Sequence, residues 1–385
     1  MPQRVSVCHL LHHLARGGLE TQLLRLVRTA DDHVSFTVSY IGEDASMRSE
    51  YETAGVKPRQ VQAGSDSPLR QFSPGTIREL VNVLTTSEVE ILHVHGELYL
   101  LVLARLCGRI ADIPVMGTYH NPAEGFSRPT QMAEQLTRPL STVDIAVSRD
   151  VERTYSGSAQ MYTSESDLQR ETYTIHNGID VGKFSREIQA ASTEYLERKY
   201  DLDNKLVFLN IGRYTEQKNQ RALIRAMSAV TDGEPESDVH LFVVGWGPNE
   251  DSLKQLAATE GVEDSVTIAG RVENVSEYYS VADCFVLSSQ SEGLSVVLLE
   301  AMAAGLPVVG TDVSGTAEAI VDGETGAVVT PDSPRELAEK MQEMTAEERR
   351  RRLGRNGHQR AREQFSIERT AQLYTSLYQK IKSSK

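Results

Sequence analysis

Two glutamates, Glu292 and Glu300, bracket an apolar run in SQSEGLSVVLLEAMAAGLPVVGTDVSG. An ionised carboxylate beside Leu299, Ala301 and Met302 is costly unless something pairs with it. Two cations, Arg213 and Lys218 in NIGRYTEQKNQ, stand five residues apart where a strand ending at Gly212 gives way to a predicted helix. Arginine grips an anion with parallel N–H groups and lysine adds a point charge, so the pair suits a diphosphate. The plainer alternative is two solvated surface charges. A helix starting near Leu294–Ser295 would aim the backbone N–H groups of Gly293, Leu294 and Ser295 at the same anion, with Glu300 about two turns inside it. Carboxylates do not bind an anion, but they accept hydrogen bonds from hydroxyls on either side of it. A sugar hydroxyl and a ribose diol would satisfy both. For Glu300 the structural alternative is a pairing with a buried arginine.

The first half of the chain carries weaker signals. Gly17 and Gly18 in LARGGLETQ follow the first predicted strand and open a helix, so a ligand could approach the backbone closely, or the glycines could simply make a tight turn. His120 in GTYHNP closes a strand, where a histidine is either structural or catalytic. His93 and His95 alternate on one strand and point the same way, but no third metal ligand stands at useful spacing. VVGWGPNE, with Gly245 and Gly247, lacks the third glycine of a dinucleotide fingerprint, because Glu250 occupies that place.

These loops need a scaffold of strands that deliver them to one edge. RVSVCHLL, VSFTVSYI, EILHVH, PVMGTYH, VDIAVS and TYTIHNGI read as strands in the first half. KLVFLNIG, VHLFVVG, SVTIAG, DCFVLSS, LPVVGT and TGAVVT repeat the rhythm in the second. Amphipathic helices alternate with them, near 19–30, 73–84, 98–110 and 148–156, then near 217–230, 249–259, 274–281, 295–304, 314–321 and 333–344. Such alternation predicts parallel sheets covered by helices on both faces. The segment 121–140 reads as loop, and the polar stretch 185–204 as a connection between two doubly wound domains rather than part of one eight-fold barrel. The tail forms a last amphipathic helix with Leu373, Leu377, Tyr378 and Ile381 on one stripe. Domains are expected at 1–184 and 185–365, with a terminal helix at 366–385.

Composition bounds the class. A chain of 385 residues is long for a single core. A net charge of −14 argues against general nucleic-acid binding, and the excess of arginine over lysine, 30 to 10, suits a protein solvated in strong salt. No window approaches the ~18 consecutive apolar residues of a membrane span, and the N-terminus reads as a strand rather than a signal peptide. Cys8, Cys107 and Cys284 are far apart in apolar contexts, as expected of buried thiols in a reducing cytosol.

Taken in order, these loops resemble the retaining GT-B glycosyltransferases of family 4. The most specific element is Glu292-x7-Glu300 followed by AMAAGLPVVGTDVSG. GGLE at 17–20, TYHN at 118–121, HNGID at 176–180, GRYTEQKN at 212–219 and GWGPNE at 245–250 support it. The resemblance implies two Rossmann-like domains facing across a cleft, with the C-terminal helix crossing back to the first. It implies that Arg213 and Lys218 hold the donor diphosphate, Glu300 the ribose hydroxyls, and Glu292 with the N–H groups of Gly293, Leu294 and Ser295 the donor sugar. Gly17 and Gly18 would approach sugar and phosphate, His120 would reach the sugar or the reacting centre, and the base would lie near Arg271 and Val272. No cofactor or metal is expected. The donor would be a UDP- or GDP-sugar and the acceptor a glycan or lipid-linked molecule, in cell-surface polysaccharide or glycoconjugate synthesis. Peripheral membrane contact is compatible with this, with Arg105, Arg109, Arg128 and Arg138 in segments that could face anionic lipid. Where many members have Gly-Phe-Gly after the first glutamate, this chain has Gly-Leu-Ser, so Ser295 adds a side chain near the sugar. The competing readings are a non-hydrolysing nucleotide-sugar epimerase and a silent nucleotide-sugar-binding protein.

Overall fold

A computed structural model of the protein describes residues 4–61, 72–231 and 238–384. They divide into two compact units, Met1–Gly178 with Ile367–Lys385, and Ile179–Ser366. The first holds a seven-stranded sheet in the order β3-β2-β1-β4-β5-β6-β7. Its strands are β1 Val5–Leu11, β2 Val34–Tyr40, β3 Arg59–Gln60, β4 Ile91–His95, β5 Val115–Tyr119, β6 Asp144–Ala146 and β7 Thr172–Thr174. The second holds β8 Leu206–Ile211, β9 Val239–Val244, β10 Val266–Gly270, β11 Cys284–Leu287, β12 Val308–Thr311 and β13 Gly326–Val329, in the order β10-β9-β8-β11-β12-β13. Every named strand pair is parallel.

The twelve expected strands are present. A thirteenth, β3, escapes the apolar pattern because it is two exposed residues on the sheet edge. In both sheets the order reverses once, between β1 and β4 and between β8 and β11. Loops leaving the carboxyl ends of such a pair diverge to opposite faces, and the crevice between them is where open α/β sheets bind ligands. Those loops contain Gly17–Gly18 in the first unit, and Arg213–Lys218 and Glu292–Ser295 in the second.

Two readings of the sequence are corrected, and one further helix is added. The segment 121–140 is not a loop: Arg128–Thr137 is a helix entered through Pro129, with short 3-10 turns on either side. The stretch 185–204 is largely helical, in Val181–Gln189 and Glu194–Tyr200, and Asp180 caps the first by accepting from Lys183 N–H. Glu347–Gln364 forms a long helix with little apolar stripe to announce it. It buries small residues, Gly354, Gly357 and Ala361, and a Cβ on Gly354 would fall 2.0 Å from the Gly305 carbonyl oxygen.

The C-terminal helix, Ile367–Ser383, packs on β1, β4 and the helix Gly18–Thr29. Tyr374, Leu377, Tyr378 and Ile381 join the first unit's core, whereas Leu373 lies at its margin. Cys8, Cys107 and Cys284 are buried free thiols. No helix among the described residues is long and apolar enough to cross a membrane.

Candidate functional site

In the second unit β8 delivers Arg213 and Lys218, and β11 delivers Glu292. Lys218 ends a 3-10 turn, and Asn219 in the left-handed region (φ 45°) redirects the chain into the helix Gln220–Val230. Ser288 Oγ donates to the Lys218 carbonyl at 3.0 Å and Gln290 N–H to the Gln217 carbonyl at 2.8 Å, so the two loops are stitched side by side. Lys218 Nζ then meets Glu292 Oε1 at 2.5 Å, and Ser289 Oγ donates to the same oxygen at 2.6 Å.

This changes the expected bookkeeping of charge. The sequence reading left both carboxylates to ligand hydroxyls, but the protein supplies partners itself. Glu292, 5% exposed, is paired with Lys218. Glu300 Oε2 accepts from the Tyr279 hydroxyl at 3.1 Å. The helix spans Val296–Ala303 with Ser295 as N-cap, so Glu300 sits just over one turn inside, not two. The Ser295 side chain makes no capping bond. Gly293 and Leu294 are buried with it in the approach to the helix.

Arg213 is exposed, and its guanidinium lies 4.9 Å from the centre of the Trp246 ring. The glycines on either side of Trp246 serve this arrangement. A Cβ on Gly245 would lie 1.9 Å from the Gly212 carbonyl oxygen, and one on Gly247 2.5 Å from the Tyr214 carbonyl oxygen. The close approach lets Tyr214 N–H donate to the Trp246 carbonyl at 2.9 Å. The Tyr214 hydroxyl accepts from Gly270 N–H at 3.1 Å, which brings the turn carrying Arg271 and Val272 to the same edge. Arg213, Lys218, Arg271, Val272, Glu292, Gly293, Leu294, Ser295 and Glu300 therefore all occupy the carboxyl edge of one sheet or the helix start beside it.

The first unit carries Gly17, Gly18 and His120 on its own carboxyl edge. Gly17 is the extended N-cap of the helix Gly18–Thr29. The Glu20 carboxylate folds back over it, since a Cβ on Gly17 would lie 2.6 Å from Glu20 Oε2. Burial pushes that carboxyl up to about 7. Leu19 and His120 line a cavity of about 20 Å³ together with His95, Asn177 and Tyr374.

His93 and His95 do point the same way, and β1 supplies the third imidazole that the sequence pattern lacked. One ring nitrogen from each of His9, His93 and His95 lies within 4.8 Å of the other two. Both nitrogens of His93 are already engaged, with the Tyr378 hydroxyl and Thr118 Oγ1, each at 2.7 Å. The arginines offered to lipid divide. Arg105 is fully buried, bonded to Asp144 Oδ2 at 2.6 Å, Glu134 and the Tyr119 hydroxyl, and Arg138 is held by Glu134 and the Tyr155 carbonyl. Arg109 and Arg128 remain exposed.

Residues that sequence reasoning missed are those whose role depends on a neighbour far along the chain. Tyr214, Tyr279, Ser289 and His9 carry no local signature. Gly315 had one, a Ser-Gly opening a predicted helix. A Cβ there would lie 1.8 Å from the Gly293 carbonyl oxygen, so glycine lets the two loops touch.

Comparison with known proteins identifies the family and the fold. Residues 16–183 match the family described as Glycosyltransferase Family 4, and residues 192–360 the one described as Glycosyl transferases group 1. The chain is 26% identical over 307 residues to N-acetyl-alpha-D-glucosaminyl L-malate synthase of Bacillus anthracis, covering 78% of this chain and 77% of that one. It is 25% identical over 329 residues to a GDP-mannose-dependent alpha-(1-6)-phosphatidylinositol monomannoside mannosyltransferase of Mycolicibacterium smegmatis, covering 82% of each. Among solved structures, Anabaena Alr3699/HepE in complex with UDP-glucose superposes with a TM-score of 0.82 at 20% identity, covering 97% of this chain and 99% of that one. At that identity the likeness is one of fold.

Proposed function

Because this chain belongs to the glycosyltransferases, its two units matching family 4 and group 1, we propose that it is a retaining enzyme using a nucleoside-diphosphate sugar. The observation that carries this is the second-unit edge, where Lys218 is held against Glu292 beside Arg213 at the point where the strand order reverses. Arg213 and Lys218 supply positive charge to the departing diphosphate, which is preorganised electrostatic stabilisation of the kind that dominates such transfers. Glu300, steadied by Tyr279, accepts from the ribose hydroxyls. Glu292 uses the oxygen not taken by Lys218 and Ser289 for the donor sugar, with the backbone of Gly293 to Ser295 alongside. Arg271 and Val272 flank the base. In the first unit Gly17 and Gly18 border the sugar and phosphate, and His120 the reacting centre. Neither Glu292 nor Glu300 acts as a nucleophile. The leaving phosphate takes the acceptor proton as the sugar moves on the same face.

Relatives support a UDP- or GDP-sugar donor: one neighbour was solved with UDP-glucose and one relative is named for GDP-mannose. A glycan or lipid-linked acceptor is supported by the relative named for a phosphatidylinositol mannoside, while the relative named for L-malate points to a small acceptor as the alternative. The first unit offers a surface for a lipid-borne acceptor. Ile110, Met132 and Leu136 are 64%, 62% and 80% exposed on two helices that pack together, which also carry Arg109 and Arg128. Flotation with vesicles containing anionic lipid tests this contact, and Leu136→Glu should abolish it.

A thermal-shift screen against UDP-, GDP- and ADP-sugars identifies the donor, because a ligand of the native state raises apparent stability with occupancy. NMR of the product then reads the anomeric configuration. An inverted product overturns the retaining assignment. Interconversion of the free donor without transfer indicates an epimerase, and donor binding without turnover of any acceptor indicates a silent binding protein.

A further inference from the structure

His120 stands at the end of a row of buried imidazoles. His9 on β1 is paired in register with His93 on β4, so their side chains share a sheet face with His95. His9 Nδ1 lies 2.9 Å from His95 Nε2, and His95 Nδ1 lies 3.5 Å from His120 Nε2. His93 takes no part in that row, since both its nitrogens are bonded to hydroxyls. Burial keeps the rings neutral: His9 is lowered to about 3 and His120 to about 4, and His93 and His95 fall well below the ordinary value.

A neutral imidazole has one N–H and one lone pair. Three rings joined by two nitrogen–nitrogen contacts are therefore polarised in one of two directions. If His120 donated inward, His95 would donate to His9, and His9 Nε2 would have to carry the remaining N–H. That atom is buried with no hydrogen-bond partner among the described residues. An orphaned buried N–H is the rarer and costlier defect, whereas the outward direction leaves only a lone pair there. Outward polarisation means that His9 Nδ1–H donates to His95 Nε2 and His95 Nδ1–H donates to His120 Nε2. His120 then has its Nδ1–H left to offer.

We propose that His9 and His95 are positioning residues that lock His120 in the Nδ1–H tautomer, making it a hydrogen-bond donor to a sugar or leaving-group oxygen rather than a proton acceptor. The tautomer follows from the row itself, and only its use at the sugar rests on the function proposed above.

The test uses the full chain labelled with ¹⁵N-histidine. Long-range proton–nitrogen correlations near neutral pH should show His9, His95 and His120 each protonated at Nδ1, assigned by single substitution. His95→Asn places an amide N–H where Nδ1–H was, and should preserve both the His120 tautomer and turnover. His95→Gln mimics the other nitrogen, so it should release His120 to the Nε2–H form and lower kcat about tenfold with little change in donor KM. An Nε2–H His120 in the unaltered protein overturns the proposal, as does equal rescue by Gln and Asn. So does stoichiometric Zn²⁺ uptake that removes these N–H signals. If the tautomers are as assigned but His120→Ala keeps full turnover, the row stands and the sugar-site reading of His120 falls.

Discussion

At the residue scale the decisive contact is Lys218 on Glu292, because it joins the cation proposed for the donor to the carboxylate proposed for the sugar. Arg213→Ala should leave the fold intact, whereas Lys218→Ala should also lower stability because it leaves the buried Glu292 without its cation. Each should lower turnover by roughly 10²–10³, the loss of about 2–4 kcal/mol of transition-state stabilisation. Near-normal turnover in both would remove the diphosphate assignment. Glu300→Ala removes a contact made alike in ground and transition states and should chiefly raise donor KM. Glu292→Ala frees Lys218 as well as losing the sugar contact, so kcat should fall too. The chain has a single tryptophan, Trp246, and it lies against Arg213. Its fluorescence should therefore change on titration with nucleoside diphosphate, and that change should vanish in Arg213→Ala.

At the element scale Gly315, in the first turn of the helix Ser314–Ala319, lets that helix pack directly on the 292–295 loop. Gly315→Ala would drive a Cβ into the Gly293 backbone, which has no side chain to swing away. Overpacking of this kind costs about 1–3 kcal/mol. The variant should show a lowered melting temperature and a raised donor KM, read by thermal denaturation and initial rates. A wild-type KM would mean that the 292–295 loop tolerates displacement. On the first unit, the C-terminal helix is anchored to the sheet by Tyr378 on His93 and by Tyr374 near Thr118. This is why its stripe includes Tyr374, a tyrosine with a polar tip to satisfy inside the core.

For the whole molecule, the buried histidines set a dependence on acid. His9, His93, His95, His120 and His240 are lowered by burial, so the unfolded chain binds protons that the folded one refuses. Stability is complete above the unfolded value near 6.5 and falls as pH drops below it, by roughly 2 kcal/mol for each such ring at pH 5. Glu20, raised to about 7, acts in the opposite sense, since its burial destabilises the folded state progressively above about pH 4.5. Glu97 and Glu152 are raised by burial in the same sense, but these three carboxyls are outnumbered by the five imidazoles. The melting temperature should therefore fall steeply between pH 7 and pH 5, and a flat profile would show that these rings are reached by water. Four of the five histidines lie in the first unit, so that unit should melt first as the pH falls. Activity should survive exhaustive chelation if, as proposed, the charge facing the leaving group comes from Arg213 and Lys218. Loss restored by a divalent ion would return His9, His93 and His95 to consideration as ligands.

Strands, sheet direction and the order of the candidate loops were legible in the sequence because they follow from short-range patterns. Apolar runs of Val, Leu and Ile mark strands buried on both faces, and the alternation with amphipathic helices forces parallel pairing. The spacing of Glu292 and Glu300, and of Arg213 and Lys218, was visible for the same reason. The helices at Arg128–Thr137 and Glu347–Gln364 were not, because one is mostly polar and the other packs through glycine and alanine rather than an apolar stripe. Arg105 looked like a surface charge until Asp144, 39 residues away, was found against it. Only the tertiary structure decided that Lys218 neutralises Glu292 across 74 residues, that Tyr279 meets Glu300, and that His9 and His95 stand behind His120. A carboxylate or an imidazole takes its charge, tautomer and partner from whatever packs within about 3 Å of it, and distance along the chain says nothing about that.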